Sequence, residues 1–145
     1  QNMELIAEKV FEPLRESVNG PIKINSFFRC EKLNKAIGGS SRSQHCQGRA
    51  IDIDDVYGYV SNSYMYYYIK DNLDFDQLIW EFGTDTEPDW VHVSEVDQLI
   101  LEYYTPGEPN SGWIHASYIP FNPRHQYLRA YKEDGKTKYK DISNS

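Results

Sequence analysis

A chain of 145 residues can bury a core without disulfide or metal staples, and it reads as one domain. Its formal net charge of −7 argues against a nucleic-acid binder, because affinity for phosphates draws on clustered Lys and Arg. No apolar run approaches the roughly 20 residues needed to cross a membrane, and Gln1-Asn2-Met3-Glu4 lacks the basic and apolar parts of a signal peptide. Twelve Tyr and three Trp permit carbohydrate or peptide ligands. Cys30 and Cys46 can be a disulfide pair or two thiols, and two cysteines do not decide the compartment.

In chain order, Met3, Ile6, Ala7, Val10, Leu14 and Val18 recur at helical spacing, and Gly20-Pro21 closes the segment. The spacing predicts an amphipathic helix over 3–18, kinked or split by Pro13. Ile22 and Ile24 alternate with Lys23 and Asn25 in a short strand leading to Ser26-Phe27-Phe28-Arg29-Cys30. A second helix is expected from Glu31 to Ile37, stopped by Gly38-Gly39.

The stretch from Ser43 to Asp54 then combines an imidazole at His45, a turn at Gly48 and an apolar alternation through Ala50, Ile51 and Ile53 that carries Asp52 on a strand. Imidazole nitrogen and carboxylate oxygen suit zinc, and a catalytic zinc site needs three protein ligands with a fourth position open. His45 and Asp52 supply two. Adjacent side chains on an extended segment point apart, so Cys46 is not expected to share a metal with His45. On the same two-residue period Asp54 faces the way Asp52 does, although exposure to solvent is the expected fate of Asp54 and Asp55.

A loop with Gly58 leads to Ser61-Asn62-Ser63, which can cap a helix running through Asp71. Its face of Tyr64, Tyr66, Tyr67 and Tyr68 is expected to clad core and surface. An internal repeat follows. Phe75-Asp76-Gln77-Leu78-Ile79-Trp80-Glu81-Phe82 is echoed by Val96-Asp97-Gln98-Leu99-Ile100-Leu101-Glu102-Tyr103, and Trp90-Val91-His92-Val93-Ser94 by Trp113-Ile114-His115-Ala116-Ser117. Each copy predicts a β-hairpin. Two copies do not make a solenoid, so one hairpin is expected in the core and the other, about 96–118, as an insertion or duplication that widens the sheet. The tail offers strands at 127–131 and near 139–142, around a turn at Glu133-Asp134-Gly135. His125 has no partner spacing and is given no role.

Ser26-Phe27-Phe28-Arg29, Leu33-Asn34 with Ile37-Gly38-Gly39-Ser40, Ser43-x-His45-x-x-Gly48-x-Ala50-x-Asp52, Phe75-Asp76-Gln77-Leu78-Ile79 and Trp90-Val91-His92-Val93-Ser94 together resemble the M15 zinc peptidases. These include D-alanyl-D-alanine carboxypeptidases and the L-alanyl-D-glutamate peptidases used as phage endolysins. The resemblance spans roughly Leu5 to Ala130. It implies an α+β fold of the hedgehog and DD-peptidase kind: a small antiparallel sheet, helices packed on one side, zinc on the sheet face, and here an extra β-hairpin.

By this resemblance His45 and Asp52 are the first two zinc ligands and the third is a His on a strand after a hairpin turn. The chain offers His92 and His115. Sequence order favours His92, which stands behind the helix and strand that normally precede the ligand. His115 is the alternative, because Ser117-Tyr118 and Asn122-Pro123-Arg124 resemble what usually follows the ligand strand. With Val91 and Val93 inward, His92 shares a face with Trp90 and Ser94. In many relatives the proton-transferring acid lies three positions before the last His, which here is Asp89; Gly112 occupies the matching place before His115. Glu81, and Glu102 in the repeat, are alternatives that could reach across their hairpins. Arg29 is expected near the substrate, clamping a carboxylate or oxyanion, with Ser43 and Gln44 bonding substrate or orienting the ligands.

The resulting expectation is a monomeric zinc-dependent peptidase that cuts a peptide bond in peptidoglycan stem peptides, as a DD-carboxypeptidase or an L-Ala-D-Glu endopeptidase. It would act at the cell wall or periplasm, or be phage-encoded and released to the wall. The alternative is a non-catalytic, zinc-stabilised binding or structural domain such as a phage virion component. A weaker third is an amidase of the sugar–peptide linkage. No wall-binding module is recognisable in the sequence.

Overall fold

The computed structural model describes residues 2–94, 100–102, 113–115 and 126–142. Its opening helix starts as α1 (Asn2–Ile6), widens into a π-helical turn (Ala7–Phe11) and continues as α2 (Glu12–Val18). The widening answers the expected disruption at Pro13. Proline brings no N–H, and its ring crowds the carbonyl four residues back; the ladder relaxes by one residue just ahead of it, with the Glu12 N–H reaching the Ala7 carbonyl. Pro13 then sits in the first turn of α2, where no donor is needed. Asn19, in the left-handed conformation at φ 56°, ends the helix.

After β1 (Lys23–Ser26) and α3 (Glu31–Ala36), a 3-10 turn (Gln44–Gln47) leads into β2 (Ala50–Asp54). Helix α4 (Asn62–Asn72) starts at the Ser61 side chain, which accepts from the Tyr64 N–H. The hairpin of β3 (Gln77–Glu81) and β4 (Trp90–Ser94) follows, and β7 (Gln126–Glu133) and β8 (Lys136–Asp141) complete a six-stranded sheet. Its order is β1-β2-β4-β3-β7-β8. Every pairing is antiparallel except β3 with β7, which is parallel, so the α+β fold carries a mixed sheet. Asp134 and Gly135, both at positive φ, form the two-residue turn between β7 and β8, a backbone that matches the twist of the flanking strands.

The second repeat copy departs from expectation. Strands β5 (Ile100–Glu102) and β6 (Trp113–His115) pair with each other in a sheet of two. They add nothing to the larger ladder; β7 and β8 are the strands that widen it. Ser117, Tyr118, Asn122, Pro123, Arg124, His125 and Gly112 lie outside the described residues, as do the side chains of β5 and β6.

The two-residue period of the strands separates two environments. Ile51, Ile53, Leu78, Trp80, Val91 and Val93 face the helices and form one core with Ile6, Val10, Leu14, Met65, Ile69 and Phe75. Residues of the opposite parity, Asp52, His92, Ile79 and Leu128, form a row across the other face, each paired with the next. No helix of the described residues is long and apolar enough to cross a membrane. Leu14, fully buried on the helix side, provides a test of this separation. Leu14→Ala should destabilise the protein by about 2–5 kcal/mol in chemical denaturation while leaving metal binding on the opposite face intact.

Candidate metal centre

The ligand segment is folded by its own turn. Gly48 closes the 3-10 turn at φ +67°, its N–H bonding the Gln44 and His45 carbonyls. A Cβ there would stand 2.9 Å from Met3 Cγ, an exposed side chain that can move aside, so it is the left-handed backbone that favours glycine. The turn leaves His45 only 4% exposed, with Nδ1 2.8 Å from the Phe27 carbonyl. A carbonyl only accepts, so Nδ1 carries a proton toward Phe27 and Nε2 is the ring atom turned to the sheet.

Asp52 reaches the same point from β2. Its Oδ2 lies 3.2 Å from His45 Nε2, and its Oδ1 lies 2.7 Å from His92 Nδ1. Asp52 and His92 are direct cross-strand partners, which is why residues 40 positions apart meet without any loop to position them. The imidazoles stand edge to face, centroids 5.0 Å apart. One donor atom from each of His45, Asp52 and His92 lies within 4.8 Å of the others, a group that could hold a metal ion.

Electrostatics favours a cation. Burial alone would push the Asp52 carboxyl up, but hydrogen bonds to His45 and His92, with their charges, outweigh it and hold the group well below the usual carboxylate range. Two imidazole nitrogens and a carboxylate form the borderline-hard donor set that suits zinc, and three donors leave a fourth position free. The residues therefore fit such an ion. Arg29 lies behind Asp52, with Nη2 3.8 Å from Oδ2; it donates to Ser26 Oγ at 3.0 Å and to Asn34 Oδ1 at 3.2 Å. Buried Asn34 is in turn anchored to the Ser40 carbonyl.

The three donors border a cavity of about 500 Å³, which Arg29, Ser43, Gln44 and Glu81 also line. Gln44 donates to Asp76 at 3.3 Å, so its amide braces the ligand turn. Glu81 is 7% exposed. Burial first, then the charge of Asp52, raises its pKa from 4.5 to about 7, with His45 pulling the other way. Asp89, the first choice of acid from its position before His92, is exposed and does not line the cavity. The reason is parity: three positions before His92 falls on the opposite side of the pleat. Glu81 stands across from Trp90, in the register that pairs Ile79 with His92, and so shares the ligands' face.

Among the described residues, the structure thus brings His92 to His45 and Asp52. His115 pairs with Ile100 in the separate small sheet, where Glu102 also lies, and both side chains are outside the described residues. Asp54 accepts from Asn62 at 2.9 Å, so it anchors the start of α4. Sequence reasoning did not single out Phe82, Thr137 or Tyr139, which also line the cavity. Phe82 stands at a positive φ of 53°, followed by Gly83 at 67°.

The Peptidase M15 family model matches residues 2–94, the stretch that contains all three donors and Glu81. The chain belongs to the Peptidase M15 family. No curated protein matches it in a sequence comparison. Within this M15 chain, β7 and β8 lie beyond the matched stretch.

Two outcomes are expected. His45→Ala and His92→Ala should each reduce bound zinc far below one ion per chain by elemental analysis, whereas His115→Ala should retain it. Carbon-13 titration of metal-free protein should find the Glu81 carboxyl with a midpoint near pH 7, and zinc should move that midpoint down, because a nearby cation favours the charged form.

Proposed function

We propose that this M15 chain is a zinc-dependent peptidase that hydrolyses a peptide bond next to a D-amino acid in peptidoglycan stem peptides. The observation that carries the reading is the convergence of His45, Asp52 and His92 in one cavity with a buried, proton-holding carboxyl at Glu81. The substrate class rests on the resemblance of the motifs to wall-directed M15 enzymes. It is supported by Arg29 and Arg42 among the cavity's lining residues, since guanidinium groups suit carboxylate-bearing peptides.

Zinc at such a site lowers the pKa of a bound water from 15.7 to about 7 and polarises the carbonyl under attack. The chain's own groups do the rest. Asp52, kept anionic by its histidine partners, holds both imidazoles in place, and Arg29 beside it offsets its charge. Glu81 takes the proton from the attacking water and returns it to the departing amine nitrogen, a role that needs a pKa close to the working pH. Its protonated form cannot accept, so activity should be lost on acidification through the Glu81 titration.

Digestion of purified peptidoglycan with zinc-loaded protein, followed by mass spectrometry of released fragments, tests the reading. Cleavage should stop with a chelator and return with zinc, and the fragments identify the bond. Release at the sugar–peptide linkage would mark an amidase instead. If a zinc-loaded sample released no chelator-sensitive fragments, a zinc-stabilised binding domain would be left. Glu81→Gln should lower kcat by about 10² to 10⁴-fold with zinc retained, while Asp89→Asn should leave turnover close to that of the parent protein.

A further inference from the structure

The hairpin of β7 and β8 lies outside the family match, yet it supplies part of the cavity wall through Leu128, Thr137 and Tyr139. Its register explains how. Ala130 is paired with Glu81 on one side and with Tyr139 on the other, so the three occupy one row on the ligands' face of the sheet. The residue between the acid and the tyrosine is a methyl group. A larger side chain at 130 would fill that space; Ala130 leaves it to the Tyr139 ring and is itself fully buried.

The phenol is placed to act as a donor. Among the described residues its hydroxyl has no hydrogen-bond partner, in a protein where the neighbouring Lys132 and Lys138 side chains do find partners on the hairpin. Although 55% of the residue is exposed, burial of the phenol and the charges of Glu81 and Asp52 raise its pKa above the ordinary tyrosine value. The group therefore remains a neutral O–H at working pH and lies within electrostatic reach of both the acid and the ligand carboxylate. A neutral donor on the wall of the cavity that holds the acid and the three donors suits an oxygen that gains negative charge during attack.

We infer that Tyr139 is a substrate-contacting residue of this site, its phenol donating a hydrogen bond to the carbonyl oxygen of the peptide bond on which Glu81 acts. The inference rests on the peptidase reading above and extends the active site to a hairpin that the family match does not reach. Tyr139→Phe keeps the ring and removes only the donor, so it separates this role from that of a passive wall.

The test compares wild type, Tyr139→Phe, Tyr139→Ala and Lys138→Ala on the peptidoglycan fragment that wild type is found to cleave, with zinc content and thermal unfolding measured for each. Lys138 has the opposite strand parity to Tyr139 and controls for disturbance of the hairpin. Tyr139→Phe is expected to lower kcat by about 100-fold, with KM changed only a few-fold and zinc content and stability unchanged; Tyr139→Ala should lose at least as much, and Lys138→Ala should match wild type. Wild-type kinetics in Tyr139→Phe, or a rise in KM with kcat unchanged, would overturn the inference and leave the peptidase reading standing. Loss of kcat in Lys138→Ala as large as in Tyr139→Phe would also overturn it. Absence of any cleavage by zinc-loaded wild type would instead remove the peptidase reading, and this role with it.

Discussion

The contact on which the site depends is Asp52 held between two imidazoles, His45 Nε2 on one oxygen and His92 Nδ1 on the other. Each partner is itself fixed. His45 is pinned through Nδ1 to the Phe27 carbonyl, which selects the tautomer and the ring orientation. His92 needs no such strut, because β2 and β4 are adjacent antiparallel strands and their register sets Asp52 opposite it. A ligand pair on the rigid part of a sheet loses little entropy on binding, and a site built this way holds its geometry better than one spread over loops.

The sheet makes this possible by dividing its faces. One parity of residues is spent on an apolar core against the helices; the other carries polar groups that burial has made costly and therefore reactive. Asp52 and Glu81 illustrate two outcomes of the same desolvation. Asp52 has hydrogen-bonding partners that outweigh burial and keep it anionic. Glu81 lacks that compensation, and the negative charge of Asp52 adds to the penalty, so its proton is retained to near neutrality. Neighbouring carboxyls with separated pKa values can take separate roles, one as an anionic ligand and one as a proton carrier.

The accessory parts show how a shared core acquires its own surroundings. β7 joins β3 in parallel, which requires a long crossover rather than a tight turn. The intervening chain includes the second copy of the hairpin repeat, whose strands pair only with each other. The sequence similarity of the copies therefore does not translate into equivalent positions. Trp90-Val91-His92 is in the main sheet between β2 and β3, and its echo at Trp113-Ile114-His115 is not. β8, at the sheet edge, carries Lys136, Lys138 and Lys140 at alternate positions, a pattern that discourages further strand pairing.

Local pattern determined the helix over 3–18 and its interruption at Pro13, the capped helix after Ser61, the main hairpin, and the candidacy of His45 and Asp52, whereas His92 and Glu81 became candidates through the resemblance to the M15 peptidases. The features read from local pattern depend on spacing within one element, or on a short motif whose turn and strand period are set by nearby residues. Which acid faces the cavity was legible in principle, since Asp89 and His92 differ in parity, but choosing Glu81 over Asp89 needed the strand register. The separate pairing of the second hairpin, the parallel addition of β7 and the arrival of Tyr139 in the row of Glu81, one strand beyond Ala130, were decided only by tertiary structure. These depend on pairings between segments distant in sequence, where the period of each strand says which residues share a face but not which strand will be its neighbour.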